Sequence, residues 1–107
     1  MPRPCKCRHI YGNPQVNVFK PCGVPITELQ EVILTVDEFE AVRLADLQGL
    51  YQEDAAKKMN ISRQTFGNII QSAHNKIADV IVNAKALKID GGNIKMMNKH
   101  ICRRMVL

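Results

Sequence analysis

One segment constrains this chain more than any other, because it predicts a short helix, an abrupt turn and a second helix. The segment runs from Tyr51 to Ala73 and has the sequence YQEDAAKKMNISRQTFGNIIQSA. Asn60 follows the first helix, and asparagine tolerates the left-handed conformation that ends a helix abruptly. Ser62 then stands where its hydroxyl can accept a hydrogen bond from a free backbone N–H of the second helix, so we expect it to be the N-cap.

The residues around the turn have the spacing of two closely crossing helices. Ala56 lies four residues before Asn60, where a small side chain lets the helices approach each other. Phe66 and Ile69 follow Asn60 by six and nine residues, on the face that must pack against the first helix. This register favours a helix-turn-helix over the alternative, a helical hairpin with a solvated polar face.

The second helix carries side chains suited to contacts with DNA. Arginine can donate two hydrogen bonds to guanine, and glutamine or asparagine can pair with adenine. Gly67 costs roughly 1 kcal/mol relative to alanine in a helix, and a close approach to DNA or to the neighbouring helix would explain it. We therefore predict a DNA-contacting surface, with Lys76 as a phosphate contact, formed by Arg63, Gln64, Thr65, Asn68, Gln71 and Lys76.

These motifs belong to a longer stretch that resembles a known family. The segments DEFEAVRLAD and SRQTFGNII, together with RPCKCR and FKPCGVP nearer the N-terminus, resemble a prokaryotic family of predicted DNA-binding proteins of unknown function. The helix-turn-helix of that family is similar to region four of bacterial sigma factors. The resemblance implies a DNA-binding role without a target. Tyr51, Asn60 and Asn68 depart from the family, which usually has a small hydroxyl residue, glycine and a basic residue there.

Composition and charge are consistent with a small DNA-binding domain. The 107 residues are enough for one domain with a modest core. The net charge is +5, and residues 63–107 carry eight basic and two acidic groups, so the recognition helix opens the basic part of the chain. No stretch approaches the roughly 20 apolar residues of a membrane span, and the polar N-terminus is unlike a signal peptide. We expect a cytoplasmic protein that has no membrane partner.

A further helix is predicted before the turn. Thr35 and Glu38 have the spacing of a capping box, and Gly49 supplies a stop. Arg43 and Asp46 are expected to form a solvated charge pair. The predicted inward stripe is Phe39, Val42 and Ala45, widened by Ala41 and Leu44.

The second helix of the turn motif is predicted to be long. An apolar stripe continues through Ile77, Val80, Ile81, Ala84 and Leu87, so we expect a helix from Arg63 to about Ala86. Such a stripe must be covered. We slightly favour a homodimer through residues 77–87, and the alternative is that the N-terminal arm folds over the helix.

The expected fold is mostly α: a trihelical helix-turn-helix domain with a long recognition helix and an extended N-terminal arm. The arm comprises residues 1–33, the domain residues 34–88 and a basic C-terminal tail residues 89–107. Prolines make the arm extended. Its basic residues could follow the DNA backbone, or the arm could be a solvated terminus; they are Arg3, Lys6, Arg8 and Lys20.

The cysteines leave a metal site open. Zinc ligand types cluster at Cys5, Cys7, His9 and Cys22. Their spacing differs from the usual knuckle, so we expect reduced, incidental thiols and no cofactor, with zinc as the alternative. Disulfides are not expected in a cytosolic protein.

No constellation of catalytic residues is visible, so we do not expect an enzyme. The sequence predicts sequence-specific binding of double-stranded DNA and a role in transcription regulation. The alternative is a metal- or redox-sensing adaptor that binds a protein of the transcription machinery. The resemblance to sigma factors permits a contact with RNA polymerase.

Overall fold

The protein is described here by a computed structural model, which covers residues 8–96 and 101–104. Helices account for more of these residues than strands, so the expectation of a mostly α chain is confirmed. The α-helices are α1 (Val36–Val42), which continues into a wider π-helical turn (Arg43–Leu47), α2 (Gln52–Met59) and α3 (Arg63–Asn83), and a short 3-10 helix (Ile26–Glu28) precedes them. The strands are β1 (Arg8–Ile10), β2 (Val18–Phe19), β3 (Glu31–Leu34), β4 (Ala86–Ile89), β5 (Asn93–Met96) and β6 (Ile101–Arg104).

Helix α1 begins at the predicted capping box. Glu38 Oε1 accepts the backbone N–H of Thr35 at 2.9 Å, and the Thr35 hydroxyl donates to Asp37. The π turn ends before Gly49, whose φ of 74° is the left-handed conformation that a stop requires. The amide of Leu50 then donates to the carbonyl of Leu44 at 3.0 Å. Both ends of this helical segment therefore follow from local sequence.

The inward face of α1 differs from the predicted one. Ala41 and Leu44 are buried at its centre, whereas Phe39, Val42 and Ala45 are only partly buried at its edge. The reason is Glu40, which is fully buried and occupies the same side as Ala41 and Leu44. The pattern of apolar residues alone could not predict that a carboxylate is buried on this face.

Glu40 is buried because four donors satisfy its carboxylate. The backbone N–H groups of Tyr11 and Gly12 donate to it at 2.9 and 3.1 Å, and Arg43 donates twice at 2.8 Å. A buried carboxylate is tolerated only with such a set of partners. The predicted pair of Arg43 with Asp46 is therefore wrong: Arg43 binds Glu40, and Asp46 Oδ2 lies 2.6 Å from His74 Nε2.

The turn between α2 and α3 has the predicted local geometry. Asn60 adopts φ 60° and ψ 44°, and its left-handed conformation ends α2. Ser62 caps α3, because its Oγ accepts the backbone N–H of Thr65 at 3.1 Å. Ala56 is buried where α2 meets α3. The core between the three helices is filled by Leu44, Met59, Phe66, Ile70 and Ala73.

Helix α3 ends earlier than predicted. It stops at Asn83, and Ala84 has a left-handed φ of 53°. The predicted end at about Ala86 is wrong, because residues 86–89 form β4. A short apolar run such as this one fits a buried strand as well as a helix, so periodicity could not distinguish the two. Helix α3 therefore has 21 residues.

Two three-stranded sheets join the segments that precede and follow the helices. One sheet has the order β1-β5-β6, in which β1 is parallel to β5; the other has the order β2-β4-β3, in which β3 is parallel to β4. The described part of the predicted N-terminal arm is therefore tied to the domain by β1, β2 and β3, with irregular segments between these strands, and the predicted tail supplies β5 and β6. Within the described ranges, no helix is long and apolar enough to cross a membrane.

Candidate nucleic-acid interface

The exposed face of α3 carries a line of carboxamide side chains. Gln64, Asn68, Gln71 and Asn75 are all exposed, and their spacings of four, three and four residues place them in one row along a helix. We call these four residues the amide stripe. None of the four side chains has a hydrogen-bond partner in the part of the chain that the structure describes. The amide donors and acceptors of these four side chains are thus available for hydrogen bonds to a ligand.

Three members of the amide stripe were predicted from sequence, and Asn75 was missed. The spacing of four residues from Gln71 to Asn75 was a sufficient signal. The structure adds that the opposite face is occupied, because Phe66, Ile70 and Ala73 are buried in the core. Burial on one side and unpaired amides on the other define the outward surface of α3.

Arg63 lies at the start of this surface. It lines a shallow groove of about 380 Å³ with Tyr51, Gln52, Glu53 and Asp54 of the α2 N-terminal turn. Its side chain is exposed, as the prediction of a base contact requires. Glu53 and Asp54, which line the same groove, lower the local positive potential around Arg63.

Thr65 is part of the helix cap. Its hydroxyl hydrogen-bonds the Ser62 hydroxyl at 2.9 Å, and its backbone N–H donates to the same oxygen. Thr65 is half-buried beside the turn. The structure therefore gives this predicted site residue an intramolecular role in ordering the first turn of α3.

Lys76 lies on a different face from the amide stripe. Its ammonium donates to Glu38 Oε1 at 2.7 Å, and Ser72 donates to Glu38 Oε2 at 2.6 Å. Burial raises the pKa of Glu38, but the hydrogen bonds from Lys76, Ser72 and the Thr35 amide outweigh it, so the pKa lies below its ordinary value. Because its ammonium binds Glu38 of α1, Lys76 does not share the outward face of the other predicted DNA contacts.

Gly67 lies beside the amide stripe, and packing among the described residues does not require a glycine there. A Cβ at this position would lie 3.6 Å from Gln52 Oε1, which is an ordinary contact. The predicted explanation through a close helix crossing is therefore wrong. The other predicted explanation, a close approach to DNA, stays a prediction.

The basic character of the second half of the chain does not come from α3. Lys76 pairs with Glu38, and Asp79 pairs with Lys85 at 2.9 Å. The hydrogen bond from Lys85, with a second from Asn83, lowers the pKa of Asp79. The outer face of α3 is thus polar and nearly neutral, and the excess positive charge lies after it in sequence.

The end of α3 remains partly uncovered. Val80 packs against the core, and an open groove of about 310 Å³ is lined by Phe19, Lys20, Pro21, Val80, Ile81, Ala84 and Lys85. Ile81 and Val82 are 73% and 78% exposed. The segment around β2 therefore lies beside Val80, as the predicted folding of the arm over the helix requires. Among the described residues, nothing covers most of the surface of Ile81 and Val82, and the predicted dimer stays a prediction.

Two of the four predicted zinc ligands lie among the residues that the structure describes. Cys5 and Cys7 lie outside the described residues. His9 is half-buried in β1, and Cys22 is an exposed free thiol. Among the described residues, no group of three or more His, Cys, Asp or Glu side chains is arranged to hold a metal ion.

Comparison with known proteins shows a well-defined set of relatives. Residues 1–97 match the family model described as "Protein of unknown function DUF134". A UPF0251 protein of Thermoanaerobacter pseudethanolicus is 54% identical over 99 residues, covering 92% of this chain and 84% of that protein. A UPF0251 protein of Pelotomaculum thermopropionicum is 49% identical over 105 residues, covering 97% of this chain and 80% of that protein. No solved structure matches the chain.

Proposed function

Because the chain belongs to the DUF134 family, whose description assigns no activity to its members, we propose its function from its geometry: sequence-specific binding of double-stranded DNA, with a role in transcription regulation. The observation that carries this proposal is the amide stripe, a row of exposed carboxamides without partners in the described chain, on the helix that follows a tight left-handed turn. Such a row matches the hydrogen-bonding groups of base edges.

In this proposal α2 and α3 act as a helix-turn-helix similar to region four of sigma factors. The second helix of that arrangement lies in the major groove, and the first crosses the DNA backbone. Helix α3 then presents Arg63 and the amide stripe to bases. Lys57, which is exposed in the last turn of α2, lies beside phosphates and replaces Lys76 as the backbone contact.

Gly67 supports this orientation independently. Because glycine has no Cβ, the outer face of α3 is locally flat beside the stripe, and no contact between residues 8–96 and 101–104 requires a glycine there. Glycine in a helix costs roughly 1 kcal/mol, and closer access of the helix to the groove offsets that cost.

We also propose that the protein binds DNA as a homodimer. Helix-turn-helix proteins commonly recognise paired half-sites as two-fold dimers, and Ile81 with Val82 forms an exposed apolar pair beyond the amide stripe. Sedimentation of the protein and of an Ile81→Ser, Val82→Ser variant tests this. A monomer at every concentration overturns the dimer and leaves DNA binding untouched.

Selection from a library of random double-stranded sites tests the function. We expect an enriched sequence whose affinity falls as salt rises, because phosphate contacts release counterions. Arg63→Ala and Gln64→Ala should relax base choice, whereas Lys57→Ala should weaken all sequences alike and reduce the salt slope by about one. Gln48→Ala, at an exposed glutamine outside α3, is the matched control. No enriched site together with no salt-sensitive binding excludes the proposal.

A further inference from the structure

The amide stripe is chemically uniform, and this restricts what it can recognise. All four side chains end in a carboxamide, which presents one acceptor oxygen and a donor NH₂ group. They are Gln64, Asn68, Gln71 and Asn75, all exposed. The next residue in the same row is Ala78, which has no polar group. The row therefore has a defined polar length and ends at Asn75.

Adenine is the base whose major-groove edge fits a carboxamide. It presents an acceptor at N7 beside a donor at N6, whereas guanine presents two acceptors at N7 and O6. One carboxamide can make both hydrogen bonds to adenine, and only one of the two to guanine. Arginine has the reverse preference, because its two donors match guanine.

We propose that α3 recognises a short A-rich tract preceded by guanine, and that Asn75 is a further specificity-determining residue. This inference rests on the proposed function. Arg63 stands at the N-terminal end of the row and selects the guanine. From Gln64 to Asn75 the helix rises by about 17 Å at 1.5 Å per residue, which is about five base pairs at 3.4 Å each. The tract therefore spans on the order of five base pairs.

The same geometry selects DNA over RNA. The major groove of B-DNA is about 12 Å wide and admits a helix, whereas that of A-form RNA is deep and narrow. The amide stripe lies on the N-terminal half of α3, which is packed on the core by Phe66, Ile70 and Ala73. A-form duplex RNA of the same sequence should therefore compete at least tenfold less well, about the factor for one lost base contact.

Selection from random sites with the wild-type chain, Asn75→Ala, Asn75→Asp and the control Gln48→Ala tests the inference. The wild type and the control should enrich the same G-plus-A tract. Asn75→Ala should lower the preference for adenine at the position farthest from the guanine by about tenfold or more. Asn75→Asp should move that preference towards cytosine, because a carboxylate only accepts hydrogen bonds and cytosine N4 donates. Circular dichroism confirms that each variant is folded.

The outcomes separate the inference from the function on which it rests. An enriched site without adenines, or one that Asn75→Ala leaves unchanged, overturns the inference while sequence-specific DNA binding stands. Absence of any salt-sensitive DNA binding by the folded wild type overturns both. A shift of base preference at a single position in the Asn75 variants supports the inference, since a purely structural role of Asn75 would change affinity for all sequences alike.

Discussion

The ammonium of Lys76 lies 2.7 Å from Glu38 Oε1 and joins the middle of α3 to the first turn of α1 across 38 residues of chain. Glu38 also accepts from Ser72 on α3 and from the amide of Thr35 at its own helix start. One carboxylate therefore adds to the buried face of α3 in fixing the rotation of this helix relative to α1. That rotation decides which side chains face outward.

Replacing Lys76 by methionine should destabilise the fold. The change keeps the length of the side chain but leaves the mostly buried Glu38 carboxylate without its charged donor, which should cost about 1 to 3 kcal/mol. Urea denaturation followed by circular dichroism measures the free energy of unfolding. Lys57→Met, at an exposed lysine of α2, is the control and should change stability by less than about 0.5 kcal/mol. Equal effects of the two variants would contradict a stabilising Glu38–Lys76 pair.

Acid should weaken the fold through Glu38. Its pKa in the folded protein lies below the ordinary value of 4.5, so the unfolded chain binds the proton more readily. The stabilisation is complete above about pH 4.5 and is lost as the pH falls through the lower folded-state pKa. Unfolding free energies measured across this range should show a shallower acid slope for Glu38→Gln than for the wild type. Parallel slopes would mean that other carboxylates cause the acid sensitivity.

Gly67→Ala should raise the stability of the fold and weaken DNA binding. In the described part of the chain the new Cβ meets only Gln52 Oε1, at 3.6 Å, so helix propensity should raise stability by roughly 1 kcal/mol. The same methyl group lies on the proposed DNA face and should weaken binding to the preferred site. Thermal denaturation and a gel-shift titration measure the two effects. A variant that is more stable and binds DNA unchanged would show that the groove does not need the glycine.

Ala84→Gly should stabilise the end of α3. Ala84 has a left-handed φ of 53°, which is unfavourable for a residue with a Cβ and free of strain for glycine. We expect a gain of about 0.5 to 1 kcal/mol, measured by urea denaturation. Ala78→Gly is the matched control, because Ala78 is exposed in the body of the same helix; it should lose about 1 kcal/mol. Loss of stability in both variants would contradict the left-handed assignment of Ala84.

The helix boundaries were predictable where they depend on the conformation of one residue or on a contact between residues close in sequence. Thr35 with Glu38, Gly49, Asn60 and Ser62 all have the predicted positions at helix ends. Their interactions join residues at most a few positions apart, so the sequence pattern contains the whole interaction. This is also why three of the four residues of the amide stripe could be predicted, since their spacing follows from a single helix.

The sheets were not predictable by the same reasoning. The strands have two to four residues each, too few for an alternating pattern, and β1 pairs with β5 across more than 80 positions, as Arg8 opposite Ile94 illustrates. The pairing of Lys76 with Glu38 was not predictable for a related reason. Helical spacing indicates which row of α3 carries the lysine, but not that Glu38 lies within reach of it.

A ribosome completes β3 well before it completes β4, because three helices lie between these strands in the chain. At 5 to 20 residues per second, the interval from Leu34 to Ile89 is on the order of 3 to 11 seconds. During this interval Val32 and Leu34 lack the strand that pairs with them in the finished protein. A nascent chain arrested between residues 60 and 85 therefore carries an unpaired apolar strand edge, which is a template for aggregation.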